Sequence, residues 1–314
     1  MKRPLTLFLV LLLALTSCGA RAEEEPRLTV VCTTYPIYLF ASSLTEGVDG
    51  VAVERLDTGS TSCLHDYTLS MADMKKLERA DVIALNGAGL EEFLEDALQT
   101  SAAQVTDCSV GVDFLENLSH HHDGDGEDGH DHGHWDPHYW MDPDNARIMV
   151  KNLRNCLVLA DLDNAARYEE NRQAADGLLE RWGWEIENAL AVNAVQVGVP
   201  AGLVTFHDGF QYFAHAFGLP LLAAIEEEAG SEASAHEIVE IAELVRERNI
   251  PVIFTEVNGS DATAQAISRE TGCQVLPMTM LMDGPGGGLE QYRDGLRQNA
   301  AAIADGFWGT EVVW

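Results

Sequence analysis

The feature that most constrains this chain is a twice-repeated alternation of short β-rich runs with helical stretches. One long amphipathic segment separates the two series. In the first, residues 28–32 (LTVVC), 51–56, 81–85 (DVIAL) and 104–108 have strand character, and 70–80 and 91–99 have helical periodicity. In the second, 202–206, 220–224, 251–256 and 274–277 are the strands, with helices over 235–247 and 261–271. Strands alternating with helices pair in parallel, because each helix supplies the crossover a parallel pair needs. Between the series, 145–159 is helical, and Asp163 or Asn164 can cap a helix reaching about Leu190. On it Leu178, Leu179, Trp182, Ile186 and Leu190 recur at three- and four-residue steps and form one apolar face. The expected fold is α/β, with an N-terminal lobe over 28–162, a backbone helix over 163–192 and a C-terminal lobe over 193–314.

The start of the chain has targeting character. Lys2 and Arg3 precede an apolar run from Leu5 to Leu15, which is shorter than the roughly 20 residues a spanning helix needs. Leu15-Thr16-Ser17-Cys18 resembles a bacterial lipobox. That resemblance implies a signal peptide over 1–17, a lipid on Cys18, a linker over 18–27, and a protein tethered outside the cell membrane. With 51 Asp plus Glu against 19 Lys plus Arg, the formal net charge is −32. Such a surface repels phosphate backbones, so nucleic acid is not an expected partner. Without Cys18, five cysteines remain, an odd number, and no CxxC occurs. Cys32 and Cys63 are open to either reading, a disulfide or buried thiols.

Residues 120–134 read HHHDGDGEDGHDHGH. With no apolar residue they can bury no core, so a surface loop is expected. His120, His121, His122, His130, His132 and His134, interleaved with acids, suit weak metal collection, and the same composition suits an inert spacer.

Three other histidines stand at informative places. His65 follows the second strand, His138 lies in WDPHYWMDP, and His207 directly follows the apolar strand LVTF. Asp283 follows the last strand, and Glu256 ends the one before it. In open α/β sheets the carboxyl ends of strands face the ligand crevice. Imidazole nitrogens are good zinc ligands, and a carboxylate can complete a four-coordinate shell. Donors from both lobes would let one ion clamp the interlobe cleft.

These segments resemble the cluster A-I (zinc and manganese) substrate-binding proteins of bacterial ABC importers over nearly the whole mature chain. His65-Asp66-Tyr67 with Met71-Ala72-Asp73 is similar to the family's PHxYxPxxxD segment. Asp136 to Pro143 resembles its DPHxWxDP segment, and Phe206 to Phe213 its HDAFGYF segment. Cys63-Leu64 departs from the usual small-Pro pair, and the Asp283 segment lacks the common DS-small motif. The resemblance implies two Rossmann-like lobes, with His65, His138 and His207 as nitrogen ligands and Asp283 as the oxygen ligand. Glu256 is expected outside the ligand set, and water is an alternative to Asp283. A histidine at the third position implies zinc rather than manganese, delivered to a permease by a monomeric binding protein. The other classes weighed are a zinc hydrolase and an adhesive surface protein with a structural metal. No HExxH, GxSxG or P-loop motif supports an enzyme.

Overall fold

The computed structural model describes residues 25–58, 64, 67–117, 135–226, 233–257, 259, 261–312 and 314. Cys18, Cys63, His65 and the His120–His134 tract lie outside these residues.

The first half contains β1 (Leu28–Cys32), α1 (Tyr35–Leu44), β2 (Val51–Arg55), α2 (Met71–Glu78), β3 (Val82–Leu85), α3 (Glu95–Thr100) and β4 (Gln104–Asp107). All pairings are parallel, in the order β2-β1-β3-β4. Then come α4 (Pro143–Ala160) and α5 (Ala165–Val197). The second half contains β5 (Leu203–His207), α6 (Gln211–Ala216), β6 (Leu221–Glu226), α7 (Ala235–Arg248), β7 (Val252–Glu256), α8 (Ala262–Thr271), β8 (Gln274–Met278) and α9 (Glu290–Trp308). Its parallel order, β6-β5-β7-β8, repeats the first.

The central strands β1 and β7 are buried along their whole length, as expected for parallel strands covered on both faces. Local chemistry fixes the helix starts. The Ser70 hydroxyl accepts from the Asp73 backbone N–H, and the Asp73 carboxylate accepts in return from the Ser70 N–H, opening α2. Asp142 accepts from the Asp144 N–H and Pro143 takes the first turn of α4.

Helix α5 is 33 residues long, about 50 Å at 1.5 Å per residue. Leu179, Trp182, Ile186 and Leu190 are its buried face, and each contributes about 1.5–3 kcal/mol of burial. The helix touches both halves. Arg147 and Arg154 of α4 pair with its Asp176 (2.9 Å) and Glu169 (2.8 Å), and Arg297 of α9 pairs with its Glu185 (2.7 Å).

Some elements depart from the sequence expectation. The 91–99 stretch is a short 3₁₀ turn at Glu92–Leu94 followed by α3, because the Glu91 side chain turns inward. Helices α6 and α9 were not anticipated. Cys32 is a free buried thiol, not half of a disulfide. No helix among the described residues is long and apolar enough to cross a membrane.

Candidate metal centre

His138 sits in a segment gripped from both halves of the molecule. The Asp136 carboxylate accepts from the His138 backbone N–H and bonds its ring Nδ1, both at 2.8 Å. That bond leaves Nε2 as the nitrogen that can meet an ion, and a carboxylate behind an imidazole strengthens it as a donor. The Pro137 carbonyl accepts from Asn86 Nδ2 (3.0 Å), and the Tyr139 hydroxyl donates to the Asn86 carbonyl. From the second half, the Tyr212 hydroxyl donates to the Asp136 carbonyl (3.1 Å), and Tyr292 donates to the Trp140 carbonyl (2.7 Å). Trp140 Nε1 donates in turn to the Met280 carbonyl (2.9 Å).

His207 is the last residue of β5, and it is 3% exposed against 7% for His138. The two ring centroids are 5.4 Å apart and nearly perpendicular, at 88°. Imidazoles sharing a tetrahedral ion at Zn–N distances of about 2.0–2.1 Å have centroids roughly 5 Å apart, so the pair is spaced for one ion. Gly209 lets Met280 and both rings pack close against the backbone. A Cβ there would lie 2.0 Å from Met280 Sδ and 3.2–3.3 Å from carbons of both rings.

The local electrostatics favour a cation. Burial alone would lower the His138 pKa. The Asp136 hydrogen bond outweighs it, together with the charges of Asp136, Asp208 and Glu256, and holds the ring above its ordinary value. Asp208 and Glu256 are both buried, and Glu256 ends β7, which neighbours β5 at the point where the strand order reverses. That reversal is where open α/β sheets bind ligands.

The other sequence-derived candidates fall differently. The Asp283 side chain is 45% exposed, and its Oδ1 pairs with Arg55 Nη2 at 2.5 Å. Among the described residues no three His, Cys, Asp or Glu side chains form a group that could hold an ion, so Asp283 does not join His138 and His207 in this geometry. His65 itself lies outside the described residues. Leu64 and Tyr67 on either side of it are buried, and the Tyr67 N–H donates to the Leu64 carbonyl (3.0 Å). The His-rich tract is also outside. The chain leaves towards it at Glu116 and returns at Trp135, and these two residues pair in an antiparallel bridge three residues before His138.

Sequence reasoning missed Asp136 as the partner of His138, Asp208 as a second acid beside the ring, and Arg55 as the partner of Asp283. Asp136 was visible two residues before His138, where a carboxylate can fold back onto the ring. Nothing in the sequence marked Arg55.

Comparison with known proteins agrees with this layout. Residues 30–306 match the family profile described as zinc-uptake complex component A, periplasmic. The chain is 30% identical to the iron-binding protein YfeA of Yersinia pestis, covering 94% of this chain and 92% of that one. It is 25% identical to the manganese-binding lipoprotein MntA of Halalkalibacterium halodurans, over 98% and 99% of the two chains. The crystal structure of ZnuA superposes with a TM-score of 0.74 at 25% identity, covering 89% of this chain and 98% of that one. The relatives are binding components of transporters rather than enzymes. The chain thus belongs to the ZnuA family, the metal-binding components of ABC importers.

Proposed function

We propose that this protein captures Zn²⁺ outside the cell membrane and delivers it to an importer permease, as a monomer tethered through a lipid on Cys18. His65, His138 and His207 supply three nitrogens, and Asp283 supplies an oxygen once it leaves Arg55. Glu256 and Asp208 add negative charge around the rings without binding the ion. The lobes 28–162 and 193–314, bridged by 163–192, close over it. The observation that carries this reading is the perpendicular pair of buried imidazoles at 5.4 Å, one of them oriented by Asp136. Nitrogen donors favour zinc over harder ions.

His120, His121, His122, His130, His132 and His134 collect zinc weakly and pass it inward. The bridge between Glu116 and Trp135 supports this role, because it starts and ends their tract beside the His138 segment. Ordering such a tract costs entropy, so it contributes little to tight binding. Isothermal calorimetry tests both assignments. His138→Ala should abolish high-affinity zinc binding, and deletion of residues 120–134 should leave it within a few-fold. The reverse ranking rejects the reading.

Manganese is the second reading. The acids Asp208 and Glu256 beside His138 offer the hard oxygens Mn²⁺ prefers. Relatives named for manganese and for iron support it. Direct competition of Zn²⁺ with Mn²⁺, together with metal analysis of protein taken from its own host, separates the two.

A further inference from the structure

Asp283 is already occupied by a cation, one that the protein supplies itself. Arg55 is the last residue of β2 in the first sheet, and Asp283 lies beyond β8 of the second, so their 2.5 Å pair crosses between the halves. The guanidinium carbon stands 4.8 Å from the Tyr35 ring centroid and 6.0 Å from that of Tyr38. Tyr35 also bears on the Asp283 loop. Its hydroxyl donates to the Pro285 carbonyl (3.3 Å), and a Cβ on Gly284 would lie 2.5 Å from that hydroxyl. The Gly284 N–H donates to the same Oδ1 that Arg55 holds (2.8 Å). Arg55 Nη1 is buried and has no hydrogen-bond partner among the described residues, so the grip on the carboxylate is one-armed rather than a fork.

We propose that Arg55 is a resident competitor for Asp283 and biases the site towards zinc and against manganese. This rests on the reading that Asp283 is the fourth ligand. A half-exposed, single-armed ion pair is weak enough for a divalent ion to displace. The freed guanidinium keeps its place on the Tyr35 face by cation–π attraction. Three imidazoles already suit zinc, whereas manganese depends more on carboxylate oxygen. A competitor at the oxygen donor therefore penalises manganese more.

The test uses the full chain and measures Zn²⁺ and Mn²⁺ affinities by competition with a fluorescent chelator. Arg55→Met should tighten Mn²⁺ binding about fivefold, the size of one surface ion pair, with Zn²⁺ changing less than about twofold. Adding Asp283→Asn to Arg55→Met should erase the gain, because the two residues act on one term. Circular dichroism checks folding, and Arg55→Gln carries the same expectation should Met at this position not fold. The proposal is overturned by weaker Mn²⁺ binding in Arg55→Met, by no change, or by a gain that survives Asp283→Asn. A His138→Ala control tells the failures apart. If it abolishes zinc binding while Arg55→Met changes nothing, Arg55 is only a strut and the zinc site stands. If it leaves zinc binding intact, the site assignment fails and the Arg55 proposal fails with it.

Discussion

The two sheets share one strand order and put their reversal points to opposite uses. In the second sheet, the ends of β5 and β7 carry His207 and Glu256, both buried. In the first, the ends of β1 and β3 meet a carboxylate that the protein has already consumed. Glu91 accepts from Thr33 Oγ1 (2.6 Å), from the Asn86 N–H (2.6 Å) and from the Gly87 N–H (3.0 Å). Asn86, fixed in this way, holds the Pro137 carbonyl and so the approach to His138. One topology therefore carries a buried histidine and buried acids at one reversal point and, at the other, a carboxylate turned into a foothold. The assignment of ligands follows what stands at each reversal point, not the fold.

Substitutions can break this contrast. The largest effect is expected for His207→Ala, at the reversal point of the second sheet. Zinc affinity should fall by at least about a hundredfold, beyond the 10–100-fold typical of an outer-shell partner. A fall of only a few-fold by chelator competition would mean the second sheet does not present the ion. Asp136→Asn should come next, at roughly tenfold, because the imidazole loses an anionic partner and keeps its position. An effect as large as that of His207→Ala would make Asp136 a ligand.

Glu91→Gln should be the smallest in affinity, within about threefold, and it should show instead in stability. Burial pushes Glu91 up to about 7 from 4.5, against hydrogen bonds from Thr33, Gly87 and Asn86 that favour its charged form. Between those pH values the folded chain holds a proton that the unfolded chain has lost. Stability therefore declines as pH rises through the window, by up to about 3 kcal/mol from this group. Urea unfolding from pH 4.5 to 7.5 should show that decline in the parent and a flatter profile in Glu91→Gln. Parallel profiles would mean Glu91 is ionised in the folded state throughout.

The strands of both sheets and the apolar face of α5 were legible because periodicity is a local signal. The identical strand orders were not, since nothing local says which strand lies beside which. The motifs that carry His138 and His207 single out both residues, and the fold sets their rings 5.4 Å apart. Asp283 looked equivalent by its position after a strand, yet its partner is Arg55, 228 residues away in the chain. Glu91 opens the stretch 91–99, whose periodicity reads as helix, and nothing local marks it as buried. Only the folded neighbourhood of Thr33, Asn86 and Gly87 shows why it points inward.

The Trp140 indole has a consequence for motion. Its N–H is tied to Met280, its carbonyl to Tyr292, and the Asp136 carbonyl to Tyr212, so the turn bearing His138 is moored to the half of the molecule that carries His207. With the Asn86 grip from the first sheet, that mooring sets the spacing of the two rings from both halves at once. In the proposed site, His65 and an Asp283 released from Arg55 would complete what the two rings begin.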